Sequence, residues 1–290
     1  LYDLLFEPIA AELDGKRQIV IMPDGATWSI PFAALKSPDG QYVLDRWEIA
    51  FGYGLHTLLQ LQRRGDEVRS MPSTPPHVFA NPSFGSAAER RLPGAEAKEQ
   101  KDWITTLPGT SEEAIAIRAA VPDAVIFDGP KALEDEFYKL PPATRFLHFA
   151  THGFANPDIP LLSGVVLGLP PNGSSRDGFL TASEVLASKL TTRLVIVSAC
   201  ESGVGKVARG EGQMGLSWSL LVAGAPTCVV SQWAVSDSAT AKMMGEFHRR
   251  LAAGERTASA LRNAALALKA DPRYDAPFFW APFVLYGDPR

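Results

Sequence analysis

Two short stretches constrain the fold more than anything else in the chain: residues 145–153, R-F-L-H-F-A-T-H-G, and residues 193–203, R-L-V-I-V-S-A-C-E-S-G. Each is an apolar run of β-branched or aromatic residues, the pattern of a strand buried on both faces. Each run stops at small residues and then presents one reactive side chain, His152 in the first and Cys200 in the second. If the two are neighbouring parallel strands, their carboxyl ends share one sheet edge, where open α/β folds place their chemistry.

The surrounding pattern supports such a sheet. From residue 77 onward, strand patterns at 77–80, 124–127, 145–150, 164–169, 193–199 and 227–232 alternate with helical patterns at 95–106, 110–120, 131–140, 181–189, 213–223, 238–252 and 257–269. A strand-like run over 278–286 closes the chain. This alternation predicts an α/β fold with a mostly parallel central sheet and helices on both faces. Two T-x-x-E sequences, Thr110 with Glu113 and Thr181 with Glu184, read as capping boxes. Upstream, the spacing predicts a helix over 1–13 kinked at Pro8, a strand at 17–22, strand pieces at 41–43 and 47–53, and a helix over 55–64. The polar stretch 65–76 holds Pro72, Pro75 and Pro76 and reads as a linker. It would separate a smaller unit, residues 1–70, from a larger one, residues 77–290.

Composition removes several function classes. A chain of 290 residues, 46% hydrophobic and 21% charged, can bury a substantial core. A net charge of −4 without a long basic run speaks against direct contact with nucleic acid or an anionic membrane. No apolar run reaches membrane-spanning length, and the first residues lack signal-peptide features. Two cysteines are too few for a disulfide framework and point to a reducing, cytoplasmic setting. The chain starts without methionine and directly in patterned sequence, as expected of a domain excised from a longer protein. Metal and cofactor motifs fail on inspection. H-F-A-T-H is not a zinc-binding H-E-x-x-H, and G-V-G-K-V at 203–207 lacks the first glycine and the Ser/Thr of a phosphate loop. Ser202 lies outside a G-x-S-x-G elbow, which removes a serine hydrolase.

A thiol attacks carbonyls as a thiolate, and an isolated cysteine, with a pKa of about 8.5, is mostly protonated at neutral pH. An imidazole beside it takes the proton and later returns one to the leaving amine, so a Cys–His dyad is the minimal machinery for amide hydrolysis. His152 and Cys200 are 48 residues apart (200 minus 152), close to the caspase spacing and in the same order. Gly153, directly after the histidine, offers an unobstructed N–H to a developing oxyanion, or simply turns the chain at a strand end. His148, inside the apolar run, reads as a packed, hydrogen-bonded histidine, and Cys228 reads as core.

The motifs H-F-A-T-H-G, V-S-A-C-E-S-G, G-E-G-Q-M-G-L-S-W-S-L-L-V-A-G-A and V-V-S-Q-W-A-V-S-D-S-A-T together resemble the CHAT domain, a bacterial caspase-like family related to separase. The resemblance extends to P-D-G-A-T-W-S-I-P-F-A-A-L, L-P-G-A-E-A, D-G-F-L-T-A-S-E-V and F-F-W-A-P-F-V-L-Y-G-D, nearly the whole chain. It implies a caspase-like α/β/α sandwich, with residues 1–70 a degenerate pseudo-caspase-like half beside the catalytic one. It implies a cysteine endopeptidase in which His152 is general base and acid and Cys200 is nucleophile. The backbone N–H groups of Gly153 and Cys200 would form the oxyanion hole. An upstream sensor or helical-repeat region, a dedicated partner protein as substrate and a role in bacterial defence are implied likewise, with no cofactor. Asp237, in W-A-V-S-D, matches a separase aspartate near the pocket for an arginine, but Ala239 and Ala241 replace further acids there. Asp237 is therefore a candidate substrate contact or an N-cap for the next helix. The alternative function is a non-catalytic module of the same fold that docks a partner protein.

Overall fold

The computed structural model describes residues 1–85, 93, 107–156, 158–170, 174–201, 211–233 and 236–290, with backbone alone at 200, 201 and 211–214. Among these, ten strands form one sheet: β1 (Gln18–Ile21), β2 (Glu48–Phe51), β3 (His77–Ala80), β4 (Val125–Asp128), β5 (Leu147–Phe154), β6 (Gly164–Val166), β7 (Phe179–Thr181), β8 (Val195–Glu201), β9 (Thr227–Ser231) and β10 (Phe283–Gly287). The strand order is β1-β2-β10-β9-β8-β5-β3-β4, with β6 and β7 continuing from the end of β5. The strands β9, β8, β5, β3 and β4 are mutually parallel. Strand β10 is antiparallel to β9 and parallel to β2, so it joins two blocks of opposite direction. The fold is mixed α/β with a mostly parallel sheet, as the alternation predicts.

The longer helices are α1 (Leu55–Ser70), α2 (Pro108–Ala120), α3 (Ala182–Ala187), α4 (Glu211–Ala223), α5 (Asp237–Ala252) and α6 (Thr257–Lys269). One face of the sheet, with Phe79, Phe149, Val197 and Val230, packs against Leu61 of α1, Val185 of α3 and Leu216 and Leu220 of α4. The other face, with Val78, Ala150, Ile196 and Val229, packs against Ile117 of α2, Met243, Met244 and Phe247 of α5 and Leu261 of α6. The stripe Ala239, Thr240, Met243, Met244, Phe247 and His248 buries one side of α5 at helical spacing, and the Ser236 hydroxyl caps its start by accepting from the Ala239 N–H (3.4 Å).

Several boundaries differ from the sequence reading. Helix α1 continues through Ser70 because Leu58, Leu61, Gly65 and Val68 keep one buried side in phase, so the expected linker over 65–76 shrinks to 71–76. Residues 41–43 do not form a strand. The Asp45 carboxylate accepts from the Tyr42 N–H (2.9 Å) and fixes a helical turn over Val43–Arg46, leaving Tyr42 only an isolated bridge to Lys36. The helix expected over 131–140 is two short turns, Gly129–Lys131 and Glu134–Phe137, separated by extended Leu133. The closing run splits into a turn, Pro277–Trp280, and β10. The helix expected over 95–106 and the run 203–207 lie outside the described residues. Strands β1 and β2, from residues 1–70, are hydrogen-bonded into the same sheet as the dyad strands through β10.

Candidate active site at the carboxyl edge

Strands β5 and β8 are immediate neighbours, and seven residue pairs run in register from Leu147↔Val195 to Gly153↔Glu201. Within that ladder His152 is the partner of Cys200. Adjacent strands lie about 4.8 Å apart, so the backbones at 152 and 200 are immediate neighbours at the carboxyl edge. The ladder does not stop before the reactive residues, as the strand limits at 150 and 199 predict. It runs through them, because β6 pairs antiparallel with the end of β5 (Gly153↔Val165, Phe154↔Gly164) and keeps the edge extended. Gly153 is accordingly not a turn glycine. It lies within the strand, and a Cβ there would sit 3.1 Å from the Cβ of Ala199, closer than a neighbour tolerates without shifting.

Alternation along β5 and β8 places positions 148, 150 and 152 and positions 196, 198 and 200 on the face covered by α2, α5 and α6. His152 is buried, and its ring packs against that of Phe84, itself buried, with centroids 5.3 Å apart. Beneath the dyad on the same face lies a chain of buried polar groups. The Ser198 hydroxyl donates to Glu113 Oε2 of α2 (3.1 Å). Glu113 Oε1 is 2.7 Å from His148 Nε2, and His148 Nδ1 is 3.0 Å from His248 Nε2 of α5. Ser198 precedes Cys200 by two residues and His148 precedes His152 by four, so the chain ties together the two strands that carry the dyad.

Burial sets the protons in this chain. Desolvation pushes the Glu113 carboxyl up to about 8, against a smaller opposing effect of the Ser198 hydrogen bond, and the nearby Asp237 charge adds to the rise. Desolvation pulls His148 down to about 3 and His248 well below the ordinary histidine value, with repulsion from His148 adding to the latter. At neutral pH Glu113 is therefore a protonated acid and both imidazoles are neutral. The hydrogen bonds then run one way: Ser198 to Glu113, Glu113 to His148, His148 to His248. His248 Nδ1 is left without a partner among the described residues.

Sequence reasoning placed His148 correctly as a buried, hydrogen-bonded histidine, but it missed Glu113 and His248. Thr110 and Glu113 do not form a capping box. Helix α2 begins at Pro108, after an N-cap at Leu107 that supplies no side-chain hydrogen bond, so the motif lies inside the helix. The signal was available: Glu113 sits beside Ala114 and one turn before Ile117 on the buried stripe of α2.

Asp237 is the first residue of α5, not its N-cap, a role taken by Ser236. Its Cβ approaches Gly109 so closely that a Cβ on the glycine would lie 2.1 Å away, which makes Gly109 the contact that seats α2 on α5. The carboxylate thus stands at the carboxyl edge, on the face that carries the dyad positions. Cys228 is fully buried in β9, with its thiol pushed strongly up by desolvation. Among the described residues no His, Cys, Asp and Glu side chains gather in threes to hold a metal.

Comparison with known proteins agrees with this architecture. The family model of the CHAT domain matches residues 1–288. Tetratricopeptide repeat protein 28 of Mus musculus is 24% identical over 331 aligned positions, covering 99% of this chain and 13% of its own length. The Homo sapiens protein of the same name is 25% identical with the same coverage. The chain therefore spans about an eighth of the curated relatives it matches. Among solved structures, the Saccharomyces cerevisiae separase–securin complex aligns with a TM-score of 0.52 at 15% identity, over 90% of this chain and 14% of that one. The Arg-specific cysteine proteinase gingipain R aligns with a TM-score of 0.56 at 10% identity, over 98% of this chain and 66% of that one. These likenesses establish a caspase-like fold.

Proposed function

From the premise that this chain belongs to the CHAT domain family, we propose that it is a cysteine endopeptidase acting through His152 and Cys200. The observation that carries this reading is the ladder pairing of His152 with Cys200 on adjacent parallel strands. In the proposed reaction the imidazole of His152 takes the thiol proton and the thiolate attacks the scissile carbonyl carbon. The oxyanion that forms is met by the backbone N–H groups of Gly153 and Cys200, which must first leave the parallel β5–β8 ladder that engages them. Collapse breaks the C–N bond, His152 hands its proton to the leaving amine, and a thioester remains. Water, deprotonated by His152, hydrolyses the thioester and restores the thiol. Asp237 is the proposed contact for a basic substrate side chain. The substrate is a partner protein, and an upstream region outside this chain controls access. The tetratricopeptide repeats in the relatives' names fit a helical-repeat region of that kind.

The second reading, a docking module that performs no chemistry, draws on those same relatives, whose names record no peptidase. Thiol labelling separates the two. The endopeptidase reading expects Cys200 to react with an electrophile much faster than Cys228, and His152→Ala to slow that reaction. Equal, sluggish labelling of both cysteines would favour docking. Incubation with candidate partner proteins, with Cys200→Ala as the control, should yield fragments specific to the unsubstituted protein, and their new termini read the role of Asp237.

A further inference from the structure

The amino edge of the sheet, opposite the dyad, holds a cavity of about 400 Å³ lined by five guanidinium groups. Arg69 comes from the end of α1, Arg145 and Arg193 stand just before β5 and β8, Arg256 is the N-cap residue of α6, and Arg290 follows β10. Val121, Phe146, Leu194 and Leu251 supply an apolar lining. Among the described lining residues the one carboxylate, Glu255, is engaged by Arg250 and Asn263.

Four of the five arginines have carboxylate partners around the rim. Arg69 and Arg290 share Asp66 and Asp288, Arg145 pairs with Asp123, and Arg256 pairs with Glu48. Arg193 differs. Among the described residues it meets no carboxylate, only the carbonyls of Arg69 and Met71 at 3.4 Å, and its buried Nε–H has no hydrogen-bond partner. Burial and the charges of Arg69 and Arg145 lower its pKa from the usual arginine range. Helix α6 opens beside the same cavity with an arginine at its N-cap, no capping side chain and no acid in its first turn. A helix N-terminus favours negative charge, so cations gathered there are at odds with their surroundings. Capping the carboxyl end of α1 accounts for one nitrogen of Arg193. It accounts neither for the unpartnered Nε–H nor for the like charges beside it.

A bound dianion would resolve each of these features at once. Guanidinium forks match phosphate oxygens bidentately, and a cavity of this volume is in the range of small-ligand sites. We propose that the amino-edge cavity binds a phosphate-bearing small molecule of nucleotide size, with phosphate oxygens on Arg193 and Arg145 and its less polar part against Phe146 and Leu194. The converging arrangement suits a compact ligand better than an extended acidic peptide. This proposal stands independently of the dyad's chemistry.

Calorimetric titration of the full chain with inorganic pyrophosphate and with ADP at low salt tests it. Binding with a Kd below about 1 mM is expected for at least one probe, weakening as salt rises. Arg193→Gln and Arg145→Gln should each weaken it about tenfold, the scale of a lost charge-assisted hydrogen bond. Arg249→Gln, on an exposed part of α5 outside the cavity, should leave it unchanged. Tighter binding of ADP than of pyrophosphate assigns a role to the apolar wall, and equal binding assigns the site to phosphate alone. Arg193→Lys keeps the charge but loses the fork, so weakened binding is expected there too, and it serves if the glutamine variant does not fold. Absence of heat and of any rise in melting temperature with both probes at about 1 mM overturns the proposal. So does affinity undiminished by the substitutions at 193 and 145.

Discussion

The two T-x-x-E sequences are the same four-residue pattern put to opposite uses. At Thr181 the pattern opens α3 as a reciprocal box: the hydroxyl accepts from the Glu184 N–H (3.3 Å) and the Glu184 carboxylate accepts from the Thr181 N–H (2.9 Å). At Thr110 the pattern sits three positions into α2. There the Thr110 hydroxyl bonds back to the Leu107 carbonyl (2.7 Å) and accepts from the Asn81 N–H (3.0 Å). Glu113, released from capping, turns into the core and joins Ser198 and His148. Pro108 makes the difference, because a proline fits the first helical position and moves the helix start ahead of the threonine. A motif's meaning thus depends on where the helix begins, which residues outside the motif decide.

Substitutions should separate the two sites widely. Glu113→Ala leaves the Ser198 hydroxyl and His148 without their buried partner and opens a cavity, so a loss of about 2–4 kcal/mol is expected in chemical denaturation. It should also slow labelling of Cys200, whereas Glu184→Ala should not. The next largest effect is a pH slope. Glu113 has a folded pKa raised to about 8, so the folded state keeps a proton that the unfolded state has released. Its stabilisation is full below the ordinary carboxylate value and is lost as pH rises towards 8. The buried histidines act in the opposite direction, but only below their ordinary value of 6.5. Between pH 6.5 and 8 Glu113 acts alone within this network, and stability should fall by up to about 2 kcal/mol. Glu113→Gln should flatten that slope, and Glu184→Gln should leave it in place.

Smaller effects sharpen the contrast further. Thr181→Ala removes one cap and should cost about 1 kcal/mol in a thermal melt. Glu113→Gln at neutral pH should cost less than about 1 kcal/mol, because the amide, like the protonated acid, both accepts from Ser198 and donates to His148. A loss as large as that of Glu113→Ala would mean that the carboxyl is ionised in the folded protein.

The strands that carry His152 and Cys200 were legible because their information is local. The runs at 145–150 and 193–199 are mostly apolar, as a strand between two helical layers must be, and the small residues that follow mark where the apolar runs end. What could not be read locally was set by partners distant in the chain. The continuation of β5 to Phe154 depends on β6 and β7, and β7 is a three-residue strand whose neighbours alone give it an extended shape. The Tyr42 region looked like a strand until Asp45 capped it. The network needs a glutamate 35 residues before His148 and a histidine 100 residues after it, so no spacing within either key motif could announce it.

Strand β10 carries a consequence for how the protein is made. Strands β5 and β8 are complete once residue 201 has been synthesised, yet β1 and β2, made before them, reach them among the described residues through residues 283–287. The nascent chain must hold two separate blocks of sheet, each with an open hydrogen-bonding edge, until β10 emerges to join them. Such edges recruit other strands if they wait. Slow translation of residues 283–287, or a ribosome stalled before them, should therefore expose this protein to aggregation more than an equal delay between β2 and β9.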